Sequence, residues 1–166
     1  MITPKDLLAF YTRNTGMIQK FAADITQAES LMTPNGIEGN CLNWIIGHLV
    51  NTRNTVIRFC GVPERQWLTY KTMEELRALY GNGSSPIGPG STSALHLSQL
   101  LEGLAATQTV IEEVMTQLPA EKMNAEVEAL GRKMPLDHLF LYLFGHEQYH
   151  IGQLEYVRPL SGKKNP

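Results

Sequence analysis

Phe144-Gly-His-Glu-Gln-Tyr-His-Ile-Gly-Gln-Leu154 places His146 and His150 four residues apart in a segment that otherwise reads as a long apolar helix. At that spacing both rings leave one helical face a single turn apart, which is a metal-chelating arrangement. Steps of three and four in both directions give Leu139, Leu143, His146, His150, Gln153 and Val157, so the pair sits in the inward seam. Polar rings in such a seam need partners.

Working outward, this fourth long helix opens at Pro135 and Asp137 and closes near Arg158-Pro159. The stretch before it, from about Ala120 to Lys133, is charged and alternating with Gly131 as a breaker; a short helix and an irregular link both fit. A third helix starts at Ser93 on the seam Leu97, Leu100, Leu104, Thr107, Ile111, Val114, Leu118 and is closed by Pro119. From Gly61 to about Thr92 prolines and a Gly-Asn-Gly-Ser-Ser run read as loop, with Thr72-Met-Glu-Glu75 as a capping box opening a short helix to Tyr80. A connection of about thirty residues suggests a crossover running the length of a bundle, an active-site cover, or both. Trp67, Tyr70 and Tyr80 are its candidates for lining a pocket.

The second helix is capped by Asn40 and buries Leu42, Ile45, Leu49, Thr52, Val56 and Phe59, with His48 between Ile45 and Thr52 at helical spacing. The first starts at Thr3-Pro4 with Asp6 in its first turn and follows the seam Leu7, Tyr11, Asn14, Ile18, Phe21, Ile25 to about Ala28, before a Thr33-Pro34-Asn35-Gly36 breaker. No β-branched run alternates over a strand's length, so no strand is expected. The prediction is an all-α protein: one domain over residues 1–166, a four-helix bundle with a long crossover at about 61–92.

The 166 residues are 43% hydrophobic with a formal charge of -2, the signature of a soluble globular domain with no electrostatic case for nucleic acid or anionic lipid. The N-terminus has no basic run followed by an apolar core, and no apolar segment reaches the roughly 20 residues needed to span a bilayer. The expectation is a cytoplasmic protein with neither a membrane nor a nucleic-acid partner. Cys41 and Cys60 fall on the second helix, about 28 Å apart along its axis, too far to pair there. Lys163-Lys164 reads as a solvated end.

If the second and fourth helices are neighbours, His48 joins His146 and His150. Three neutral imidazoles suit zinc, nickel or another borderline divalent ion and leave a position open to water or substrate. Taken singly, each histidine is more simply a core residue bonded to a carbonyl or hydroxyl; two in one seam weaken that reading. His96 and His138 lack the spacing. His146-Glu147-x-x-His150 also matches the zinc-protease signature, which would make Glu147 a general base. Glu155 lies too near to serve as that class's downstream ligand, and Gly152 comes one place early for its longer form. Glu147 is therefore a candidate base beside the ion, or a solvated or ion-paired side chain.

Asn43-Trp-Ile-Ile-Gly-His48-Leu and Gly145-His-Glu-Gln-Tyr-His150-Ile-Gly-Gln-Leu154 together resemble the DinB-like superfamily of bacterial metal-dependent enzymes, and the likeness covers nearly the whole chain. The resemblance implies an up-down-down-up bundle, a divalent metal on His48, His146 and His150, and a homodimer. Characterised relatives in that superfamily include bacillithiol S-transferases and a mycothiol-dependent maleylpyruvate isomerase. The isomerase type carries an extra C-terminal domain and the ergothioneine-synthesis enzymes a catalytic domain beyond a bundle of these 166 residues, so neither of those two activities is the one expected. The function expected is a metal-dependent transfer of a low-molecular-weight thiol cosubstrate to a small-molecule substrate. The alternatives are a metal-dependent hydrolase and a non-catalytic, stress-related binding or dimerisation module.

Overall fold

The computed structural model describes residues 2–34, 40–63 and 71–166. In chain order its helices are α1 (Pro4–Ala22), α2 (Gln27–Ser30), α3 (Leu42–Phe59), α4 (Met73–Tyr80) and α5 (Leu97–Gln117). A 3-10 turn (Ala120–Asn124), a hairpin of β1 (Glu126–Ala129) and β2 (Arg132–Pro135), α6 (Leu136–Val157) and a closing 3-10 turn (Arg158–Ser161) follow. The chain is mostly helical, and α3, α5 and α6 are the second, third and fourth long helices of the sequence reading.

Local chemistry sets these boundaries. Thr3 and Asp6 exchange side-chain and backbone hydrogen bonds at the start of α1, as do Thr72 and Glu75 at α4. Four expected boundaries or elements change. α1 stops at Ala22 rather than Ala28, because Asp24 turns the chain at φ 59 and Thr26 and Glu29 form a capping box of their own for α2. Cys41, not Asn40, caps α3, its Sγ accepting from the Trp44 amide at 3.4 Å. α5 begins at Leu97 rather than Ser93, with His96 as its cap. The charged link before α6 is the hairpin, where no strand was expected; Val127 opposite Met134 faces the core while its other positions are largely exposed.

Cys41 and Cys60 flank α3 at its two ends, and both thiols are free. The expected solvated tail is instead tied down: Lys163 pairs with Glu29 at 2.9 Å, and Arg158 donates to the Lys164 carbonyl. Arg158 also donates to the carbonyls of Phe21 and Ala23, which the end of α1 leaves without helical partners. Asn35, Gly36, Trp67 and Tyr70 lie outside the described residues.

Both α1 and α3 pack against α5 and α6, and α4 lies on α3. The apolar core is in two parts. One cluster joins the C-terminal half of α1 (Ile18, Phe21) to the N-terminal halves of α3 (Ile45, Leu49) and α5 (Leu100, Leu104) and the C-terminal half of α6 (Ile151, Leu154). The other joins the opposite halves, through Leu7, Tyr11, Val56, Ile57, Ile111, Leu139 and Phe140. Between them lies a polar layer of Thr15, Arg53, Gln108 and Glu147, every member of it buried.

Candidate metal centre

The Asn43–Leu49 stretch of α3 is built around His48. Gly47 is required by a close approach: a Cβ there would lie 2.2 Å from the ring of Tyr80, the last residue of α4. With Tyr80 seated against α3, its backbone oxygen comes within 2.7 Å of His48 Nδ1. Its hydroxyl donates to Asn43 Oδ1 at 3.0 Å and accepts from the Leu95 amide at 2.9 Å, while Asn43 Nδ2 donates to the Leu95 carbonyl at 2.9 Å. Trp44 stacks on the His48 ring, centroids 4.7 Å apart and planes within 9° of parallel, and its indole N–H donates to Ser84. The crossover is thus fastened over this end of α3, and of its three expected pocket aromatics Tyr80 serves as a buried anchor.

From α6, His146 and His150 reach the same point. His146 Nε2 lies 3.2 Å from His48 Nε2 and 3.2 Å from His150 Nε2, and among the described residues these three form the one cluster of histidine, cysteine or acidic donors able to hold a metal ion. His96 and His138 are exposed and take no part. The outer nitrogens fix the tautomers. His48 Nδ1 faces a carbonyl, and His150 Nδ1 faces Gln153 Oε1 at 2.7 Å; neither oxygen can donate, so both Nδ1 atoms carry hydrogens and both Nε2 atoms are bare lone pairs. His146 Nε2 has at most one hydrogen to offer two lone pairs, so at least one of the two contacts has no hydrogen between its nitrogens. Protonation does not relieve this. Burial holds all three imidazoles below the usual histidine range, His150 down to about 4, and the neighbouring His48 adds to the effect on His146. His146 Nδ1 is buried with no hydrogen-bond partner among the described residues. The donor set fits a cation shared by three neutral imidazoles.

The histidines open on a cavity of about 570 Å³. Its lining includes Asn51, Thr52 and Thr55 of α3 and Leu130, Tyr142 and Tyr149 of the hairpin and α6. Glu147 does not line it. Its two carboxylate oxygens accept from Arg53 Nη2 at 2.6 Å and Nε at 3.1 Å, with the two side chains 2% and 0% exposed. Arg53 donates further to Thr15 Oγ1 at 3.0 Å and Gln108 Oε1 at 3.4 Å, so one guanidinium joins α1, α3, α5 and α6. Of the two environments weighed for Glu147, the ion-paired one describes the geometry.

Arg53 has no place in the sequence reading. Its signal is the row Ile46, Val50, Arg53, Ile57, an apolar helical stripe with one cation in it. Tyr80 acts through a backbone oxygen, which leaves no signature in side-chain identity.

The family model of the DinB superfamily matches residues 10–154, a span that contains both histidine motifs and all four long helices in whole or large part. The chain belongs to the DinB superfamily. It is similar in fold to the crystal structure of a conserved protein of a locus from Enterococcus faecalis, with a TM-score of 0.67 over 98% of this chain and 99% of that one, at 15% identity. No curated protein sequence matches it. No helix among the described residues is long and apolar enough to cross a membrane.

Proposed function

We propose that the chain is a metal-dependent enzyme in which His48, His146 and His150 hold one divalent cation, zinc or nickel, and that it transfers a low-molecular-weight thiol to a small electrophile. The observation that carries this is the meeting of three Nε2 atoms, two of them fixed as bare lone pairs by Tyr80 and Gln153. When bound, such an ion supplies a Lewis acid that lowers the pKa of a thiol or a water at the open position. The protein's own part is to keep the imidazoles neutral by burial, to orient His48 and His150 through Tyr80 and Gln153, and to cover the His48 ring with Trp44. In the net reaction the thiol's proton passes to solvent, its sulfur forms a bond to the electrophilic carbon, and the bond from that carbon to the leaving group breaks with the electron pair going to the leaving group.

The accompanying architecture is a single four-helix domain of up-down-down-up sense. The clusters support it: the C-terminal halves of α1 and α6 share one end of the core with the N-terminal halves of α3 and α5.

The test starts with metal content by elemental analysis of protein purified without a histidine tag, for wild type and for His48→Ala, His146→Ala and His150→Ala. One equivalent in wild type and a loss of at least tenfold in affinity in each variant is expected; equal, near-zero metal in all four ends the reading. Metal-loaded protein is then offered thiols with a generic electrophile, and ester and amide substrates in parallel. Chelator-sensitive consumption of the thiol supports transfer, whereas turnover of the esters alone assigns a hydrolase.

A further inference from the structure

Leu130 stands at the tip of the β1–β2 hairpin with φ 55, followed by Gly131 at φ 73. A two-residue hairpin loop with both central residues at positive φ is built for Asn-Gly or Gly-Gly, and leucine is among the residues that fit it worst. The side chain gains little burial in return, being 57% exposed. An apolar residue that is both strained and solvated suggests a use outside folding.

Its position supplies one. Leu130 lines the cavity that opens on the three histidines. Among the described residues six large hydrophobic side chains are exposed, and three of them, Leu130, Tyr142 and Tyr149, line this cavity. The lining also includes the amide and hydroxyls of Asn51, Thr52 and Thr55 of α3. The cavity lining therefore combines apolar and aromatic surface, neutral polar groups and a cluster of nitrogen donors.

We infer that Leu130 is a specificity-determining residue that contacts substrate, and that the cavity takes an amphipathic small molecule whose apolar or aromatic body lies on Leu130, Tyr142 and Tyr149 while an anionic donor group points to the histidines. The placement of the donor group rests on the metal reading; the role of Leu130 rests on the hairpin and the cavity lining. Asparagine or glycine at position 130 suits the turn better than leucine, so the two consequences of replacing it have opposite signs. The fold is stabilised and the ligand's apolar body loses its contact.

The experiment compares wild type, Leu130→Asn and Leu130→Gly, each reconstituted with zinc, in calorimetric titrations with acetohydroxamate and benzohydroxamate. These probes share a chelating head and differ in their apolar body. Wild type is expected to bind benzohydroxamate at least about tenfold tighter, and both variants to narrow that ratio to about threefold or less with acetohydroxamate affinity within about twofold of wild type. Tm is expected to rise by about 2–4 °C. An unchanged ratio, equal weakening of both probes, or a wild type indifferent to the phenyl group overturns the inference. If acetohydroxamate fails to bind wild type, the metal reading has failed, and metal-free protein titrated with 1-anilinonaphthalene-8-sulfonate decides the role of Leu130. Binding several-fold weaker in both variants upholds it, and equal binding rejects it.

Discussion

Replacing Glu147 by glutamine separates a structural carboxylate from a catalytic one. Glutamine preserves the volume, removes the charge and leaves one acceptor where Arg53 now finds two, at 2.6 and 3.1 Å. The guanidinium, fully buried, would then face only the neutral oxygens of Thr15 and Gln108 and the surviving amide oxygen. Removing one partner from a buried pair costs about 3–5 kcal/mol, and the remaining acceptor returns part of that, so a loss of about 3 kcal/mol is expected. In a domain of this size that lowers Tm by about 6–12 °C. Urea unfolding followed by circular dichroism measures it, with the slope unchanged if only stability has moved. Arg53→Met combined with Glu147→Leu removes both charges and should recover most of the loss, because the pair's attraction roughly offsets its desolvation. A loss under about 1 kcal/mol, the value of a solvated ion pair, accompanied by abolished turnover, would refute this reasoning and return Glu147 to the role of base.

Gly47→Ala drives a methyl group into the Tyr80 ring, so α4 must shift and the carbonyl that fixes His48 moves with it. A stability loss of about 1–3 kcal/mol and weaker binding of cobalt, followed by its visible spectrum, are expected; unchanged cobalt affinity would show that the Tyr80 contact does not orient His48. Acidification supplies the other prediction. The three imidazoles have folded-state pKa values depressed by burial, so the unfolded chain binds more protons between about 6.5, the unperturbed histidine value, and about 4, the level to which His150 is pushed. Their contribution to the stability of the metal-free protein is therefore complete above that window and lost as pH falls through it, and metal release should follow the same direction. Replacing all three histidines by glutamine should flatten the dependence in urea titrations between pH 7.5 and 4.5, and an unaltered slope would contradict the assignment.

The legible parts of this fold are those written in a 3.6-residue period. The seams of α1, α3, α5 and α6 are apolar over four or more turns, so their faces and the convergence of His48 with His146 and His150 follow from spacing once α3 and α6 are neighbours. What the periodicity hides is short or non-periodic. Thr26-Gln-Ala-Glu29 is a capping box in plain view, but Ile25 continues the α1 seam and masks the break that Asp24 makes. The hairpin strands are four residues each and carry charged outer faces, so no alternation accumulates, and Leu130-Gly131 is not a turn pair that composition would flag. Its stability comes from Met134 packing into the core, a tertiary fact.

The same geometry explains why His146-Glu147-x-x-His150 reads two ways. At about 100° per residue Glu147 sits about 100° from His146 and about 60° from His150, near enough to either face that sequence alone leaves it free to turn toward an ion or toward the core. The choice is made on α3, where Arg53 lies about 140° around the helix from His48. The α3–α6 contact is thereby divided, with Arg53 and Glu147 meeting inside and the histidines meeting at the cavity. Since the inner pair is neutral in sum and burial favours the neutral form of the three imidazoles, a divalent ion among them would keep its full charge. Such a centre would favour an anionic partner, a thiolate or a hydroxide, and the neutral polar side chains of α3 in the cavity lining would be available to hydrogen-bond it without cancelling the charge. The carboxylate that the protease motif would have placed beside the ion is instead paired with Arg53 in the core, and its absence from the cavity lining would leave a metal bound at the histidines electrophilic.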